Sequence, residues 1–145
     1  MNLKGTKLAN VLFTSVLDDT VRGAVDFDTD TFKCMLVTSA YVPNKDTHTK
    51  RSNVTNEVAG TGYTAGGVIA PVTVTKDTVN DRVDISLGAI SIPNATITAR
   101  GAVYYKSRGG AATADELVAY IDFAADVTST NGTFALTAST IRLQN

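Results

Sequence analysis

TITARGAVYYK, running from Thr96 to Lys106, alternates more cleanly than any other stretch of the chain and decides its fold. Ile97, Ala99, Gly101, Val103 and Tyr105 occupy one set of alternate positions, while Thr96, Thr98, Arg100 and Lys106 occupy the other. A period of two puts successive side chains on opposite faces, so the stretch predicts one long, half-buried β-strand. Upstream, Val83, Ile85 and Leu87 are in phase with one another but out of phase with Ile90 and Ile92. The slip falls at Gly88 and predicts a bulge or break there, because a one-residue shift would otherwise turn the apolar set outward. Pro93 and Asn94 predict a turn. Downstream, the small-residue loop SRGGAATADE precedes a strand carrying Leu117, Ala119, Ile121 and Phe123. Asn131-Gly132, set before Phe134 and Leu136, is the strongest hairpin signal in the chain.

The remaining segments extend the same pattern. Thr31 to Thr38 is apolar at Phe32, Cys34 and Leu36 on one face and at Met35 and Val37 on the other, as a central strand would be. Val68 to Thr75 reads as one strand, and Ile141 with Leu143 as a short last one. There are 45 β-branched residues, 22 Thr, 16 Val and 7 Ile, a composition that suits pleated surfaces. About seven strands at intervals of roughly 10 residues, with no helices alternating between them, predict a mainly β fold: an antiparallel β-sandwich or barrel. One helix stands apart. Leu8, Val11, Leu12, Val16 and, with some drift, Leu17 and Val21 recur at helical spacing between Lys7 and Arg22, with Thr6 as N-cap, Gly23 as C-cap and an Asp18–Arg22 pair one turn apart. The helix is therefore expected to present its Leu8, Leu12 and Val16 stripe to the β core or to another copy of the chain.

At 145 residues the chain is expected to form one domain, residues 1–145, without a disulfide or metal to hold it. Its net charge of -1 argues against nucleic acid as a partner. No apolar run approaches the ~18 residues that a membrane helix needs, so no membrane is expected either. Residues 8–17 run into Asp18 and Asp19 where a secretion signal would carry a small-residue cleavage site.

Candidate chemistry is sparse. The lone His48 lies in a polar stretch and reads as an exposed loop residue, while Cys34 reads as a small buried hydrophobe. Asp26, Asp28 and Asp30 begin like a calcium loop. An EF-hand then needs glycine at position six and glutamate at position twelve, where this chain has Thr31 and Val37. A turn with Asp side chains capping backbone amides fits better. GTGYTAGG (60–67) lacks the strand before it and the long helix after it that would aim backbone amides at a phosphate, so its glycines serve turns. Asp81 and Asp84 sit beside Arg82 around a turn and read as solvated. Lys45, Lys50 and Arg51 form the one basic cluster. No catalytic residue, cofactor or metal site is expected.

Several segments together resemble small virion structural proteins of tailed bacteriophages. They are NVLFTSVLDD (10–19), DTDTFKCMLVTSAYVPNKDTH (28–48), RSNVTNEVAGTGYTAGG (51–67), VTVTKDTVNDR (72–82), ATITARGAVYYK (95–106), LVAYIDF (117–123) and STNGTF (129–134). The likeness does not extend to the C-terminal ALTASTIRLQN, which lacks the tryptophan such proteins tend to carry there. What the resemblance implies is a non-enzymatic protein of the virion, made in the host cytoplasm, that decorates or cements the capsid. The alternative it allows is a tail, baseplate or fibre component, including a receptor-binding module. The expected partners are the major capsid protein or another virion protein, together with copies of the chain itself. The polar, glycine-flanked stretch 45–67 is the expected contact segment, since loops on a rigid β scaffold commonly bind. Tyr41, Lys50, Arg51 and Tyr63 are its candidate contact residues, and core packing is the competing reading for the two tyrosines.

Overall fold

The computed structural model describes residues 10–145. In chain order the elements are β1 (Val11–Leu12), α1 (Thr14–Val21), β2 (Phe32–Val37), a 3-10 turn (Arg51–Asn53), β3 (Val68–Ile69) and β4 (Val72–Asp77). They continue with β5 (Arg82–Leu87), β6 (Ile90–Lys106), β7 (Leu117–Leu136) and β8 (Ser139–Gln144). The strands form two antiparallel sheets, β1-β7-β6-β2-β3 and β4-β5-β8, which pack as a β-sandwich with one helix.

β2 is the internal strand that its two apolar faces predict, flanked by β6 and β3. Phe32, Cys34 and Leu36 enter the core between the sheets, where they meet Ile85 and Leu87 of β5 and Ile141 of β8. Met35 and Val37 belong to a second core on the opposite face, with Phe13, Tyr41, Tyr105, Leu117 and Tyr120. The larger sheet is thus buried on both sides, by the smaller sheet on one and by chain segments around residues 11–13 and 41–54 on the other. Each fully buried large apolar side chain contributes roughly 1.5–3 kcal/mol, so the second core anchors those segments firmly.

β6 corrects the reading of Thr96–Lys106 as a single half-buried face. Ile97 and Ala99 point into the inter-sheet core, but so do Ala102 and Tyr104, whereas Val103 and Tyr105 point into the second core. The phase reverses where β6 passes from Ala99, opposite Val127, to Gly101, opposite Asp122. The extra β7 residues bulge out there, with Ala124 at φ 63°. Gly101 lies under Tyr120 so closely that a Cβ would strike the ring. Neither of the two expected turns forms. Pro93-Asn94 is a bulge inside β6, and Asn131-Gly132 a bulge inside β7; Asn94 has φ 52° and Asn131 φ 45°. Residues that tolerate positive φ serve a bulge as well as a turn. β6 and β7 therefore stay paired from Tyr105–Leu117 to Ile90–Leu136. The loop 107–116 joins them.

At Gly88 the chain leaves β5 in the smaller sheet and re-emerges as β6 in the larger one. This is the break that the phase slip predicts. Ile85, Leu87, Ile90 and Ile92 all reach the same core because it lies between the sheets. The expected single strand at Val68–Thr75 divides in the same way, β3 and β4 belonging to different sheets with Ala70-Pro71 as the corner. The two corners touch: the Gly88 N–H donates to the Pro71 carbonyl at 2.7 Å.

The N-terminal helix is shorter than its sequence predicts. Thr6, Lys7 and Leu8 lie outside the described residues. Val11 and Leu12 pair with Tyr120 and Ala119 as strand β1, and Phe13 holds the N-cap position in extended conformation. The edge of β7 offers these residues backbone partners and a hydrophobic surface, which outweighs helical spacing. Gly23 closes the helix with φ 74°, as expected of a C-cap glycine. Arg22 pairs with Asp18 at 2.7 Å.

Candidate functional site

Lys50 and Arg51 flank the start of the 3-10 turn. The turn is positioned by the loop before β7. Arg51 N–H donates to the Asp115 carbonyl at 2.9 Å, and Leu117 N–H to the Thr49 carbonyl at 3.1 Å. Asp115 and Glu116 are both buried, at the point where the loop becomes the apolar strand LVAYI. Isolated buried carboxylates are costly, and each of these is matched by cations and hydrogen bonds. Arg51 Nε donates to Asp115 at 2.7 Å, and the Arg108 backbone N–H donates to the other Asp115 oxygen at 2.8 Å. Lys50 Nζ donates to Glu116 at 2.9 Å, and the Arg108 guanidinium grips the same carboxylate at 2.9 to 3.2 Å. Burial alone would raise the Glu116 pKa, but the hydrogen bonds from Arg108 and Lys50 outweigh it and hold the group at about 2.

The clasp extends to the turn after α1. Lys106 Nζ forms an ion pair with Asp30 and donates to the Ala24 carbonyl, both at 2.7 Å. Asp30 in turn accepts the Asp26 N–H at 2.8 Å, and Asp26 accepts the Asp28 N–H at 2.9 Å. This is the expected Asp-capped turn. The expected solvation of Asp84 is not found: Arg142 grips it with two hydrogen bonds, at 2.7 and 3.0 Å.

The two tyrosines are packed. Tyr41 is buried in the second core, edge-on to Tyr120 at 5.7 Å, and burial pushes its hydroxyl up to about 12. That hydroxyl lies 3.0 Å from His48 Nδ1. His48 is half-buried, with ring contacts to Phe13 and Tyr41, which corrects its reading as an exposed loop histidine. Tyr63 accepts the Leu36 N–H at 3.0 Å and donates to Glu57 at 2.7 Å. Burial raises its pKa strongly. The Arg51 guanidinium stacks 5.2 Å from the Tyr105 ring centre, and Tyr105 donates to the Gly66 carbonyl at 2.6 Å. All four candidate contact residues therefore hold loop 41–67 onto the sandwich, and what the loop presents outward is set by them. Beside Tyr41, a groove of about 300 Å³ opens between Val42, Pro43, Tyr120 and the Arg100–Asp122 ion pair.

Sequence reasoning missed Asp115 and Glu116, placing them in a small-residue loop. Their signal is two adjacent acids opening an uninterrupted apolar strand, where a carboxylate has to be matched. Cys34 is fully buried, and burial pushes its thiol up to about 12, so it stays protonated at neutral pH. Among the described residues no group of three or more His, Cys, Asp or Glu side chains is placed to hold a metal ion. No described helix is long and apolar enough to cross a membrane. Comparison of the chain with protein-family models, with curated proteins and with solved structures finds no match.

Proposed function

We propose that the protein is a non-enzymatic structural component of a tailed-phage virion that binds in many copies to the capsid surface, decorating or cementing it. The reading rests first on the sequence resemblance in seven segments between residues 10 and 134. The structural observation that supports it is the commitment of the polar side chains. Lys50, Arg51, Arg108, Asp115 and Glu116, which a catalytic or ligand-binding site could have used, are spent on fastening the 50–53 turn to the β6–β7 loop. A sandwich strapped in this way is a rigid platform, which is what a repeated shell component needs, because ordering a mobile loop on binding costs affinity at every copy.

Purified virions test the proposal. Quantitative mass spectrometry against the major capsid protein is expected to count this chain in the hundreds per particle. Copy numbers in small multiples of three or six, with label at the tail, would move the assignment to the tail or fibre alternative. Absence from the particle would overturn both.

A further inference from the structure

The charge of this chain is unevenly placed. Residues 85–99 and 127–141 carry none of its 27 charged side chains, and β6 and β7 pair these two stretches with each other. Among the described residues, the resulting ribbon has one flank covered and one open. On the β6 side, Thr61 bridges to Thr96, and Gly60 and Gly62 press against the backbone there. On the β7 side, β1 pairs only with Tyr120 and Ala119, and no described strand follows it along Val127–Leu136. Soluble proteins protect open edges with charges, proline or short length. The other edge strands here follow that rule, β4 with Lys76 and Asp77, β8 with Arg142, and β1 and β3 with two residues each. The Val127–Leu136 edge has neither charge nor proline.

We infer that this edge pairs antiparallel with the same edge of a second copy, about a twofold axis between Asn131 and Gly132. In that register Val127 faces Leu136, Thr128 faces Ala135, Ser129 faces Phe134 and Thr130 faces Thr133. In a regular strand such pairs would join opposite faces of the sheet, since each couples an odd with an even position. The Asn131 bulge removes the mismatch. Thr128 and Ala135 lie opposite Thr98 and Ser91 on the outer face, whereas Val127, Phe134 and Leu136 lie opposite Ala99, Ile92 and Ile90 on the core face. Outer residues therefore meet outer ones and core residues meet core ones. Val127, which is 43% exposed, gains Leu136 of the other copy as a neighbour. An interface between identical copies sets every residue near its axis against itself or a close neighbour, and a stretch without charge avoids like-charge repulsion there. The inference concerns copy-to-copy contact and stands whether or not the protein belongs to a virion.

Sedimentation of the full chain across ~1 μM to ~1 mM, the range of weak to moderate association, tests it. Wild type is expected to show a reversible dimer. Thr130→Lys with Thr133→Lys places lysine against lysine twice across the axis and should weaken the dimer ~10-fold or more, with an unchanged melting curve at concentrations where both proteins are monomeric, because both sites are exposed. Thr130→Lys with Thr133→Glu places opposite charges across the axis and should restore it. A wild type that stays monomeric throughout, including one that binds only a different protein, would overturn the inference. So would a Lys/Lys variant that dimerises like wild type, or a Lys/Glu variant no tighter than Lys/Lys.

Discussion

Lys50 and Glu116 stand 66 positions apart in the chain, yet the Lys50 ammonium donates to the Glu116 carboxylate at 2.9 Å. Arg108 completes the pair from the other side, so one nearly buried carboxylate ties three segments together. The contact fastens the polar stretch around Lys50 to the β6–β7 loop. It also makes part of the protein's stability dependent on acid.

The Glu116 pKa is lowered from 4.5 to about 2. A depressed carboxylate contributes stability that is complete above its unfolded pKa and lost as pH falls through its folded one. Allowing for the partial exposure of Arg108 and Lys50, the loss should reach roughly 2–3 kcal/mol between about pH 5 and about pH 2. Glu116→Gln should flatten this acid limb and cost ~1–3 kcal/mol at neutral pH, by leaving two cations without their partner. Urea denaturation as a function of pH checks both; an unchanged acid limb in the variant would assign the acid sensitivity to another group.

Gly88 meets Pro71 where the chain crosses between sheets. A Cβ on Gly88 would run into the Pro71 carbonyl, which is backbone and cannot rotate away. Gly88→Val should therefore destabilise by ~1–3 kcal/mol, through overpacking at the crossing. Equal denaturation midpoints for variant and wild type would mean that the two corners move apart freely.

Helix α1 presents two valines to opposite environments, Val16 at 2% exposure and Val21 at 88%. Val16→Asp buries an unpaired charge in the inter-sheet core and should cost about 3 kcal/mol or more. Val21→Ser should stay within about 0.5 kcal/mol of wild type. Thermal unfolding followed by circular dichroism separates them, and a comparable loss at Val21 would show that its face is covered in solution.

What the sequence determined by itself is local. The paired apolar faces of Phe32–Val37 identified an internal strand, the change of phase at Gly88 located a break, and Gly23 marked the end of the helix. Each depends on periodicity or on the φ range of one residue, which neighbours in sequence express directly. The tertiary structure decided whatever required a partner distant in the chain. Val11 and Leu12 became a strand because the edge of β7 was there to pair with them. Asn94 and Asn131 became bulges because β6 and β7 continue past them, although the same positive φ would have served a turn. Lys50 and Arg51 were legible as a basic cluster, but Asp115 and Glu116, which neutralise them, lie some 65 residues away. A charge shows its sign in the sequence; whether it faces solvent or a buried counter-charge depends on which segments the fold brings within 3 Å, here the 50–53 turn and the β6–β7 loop.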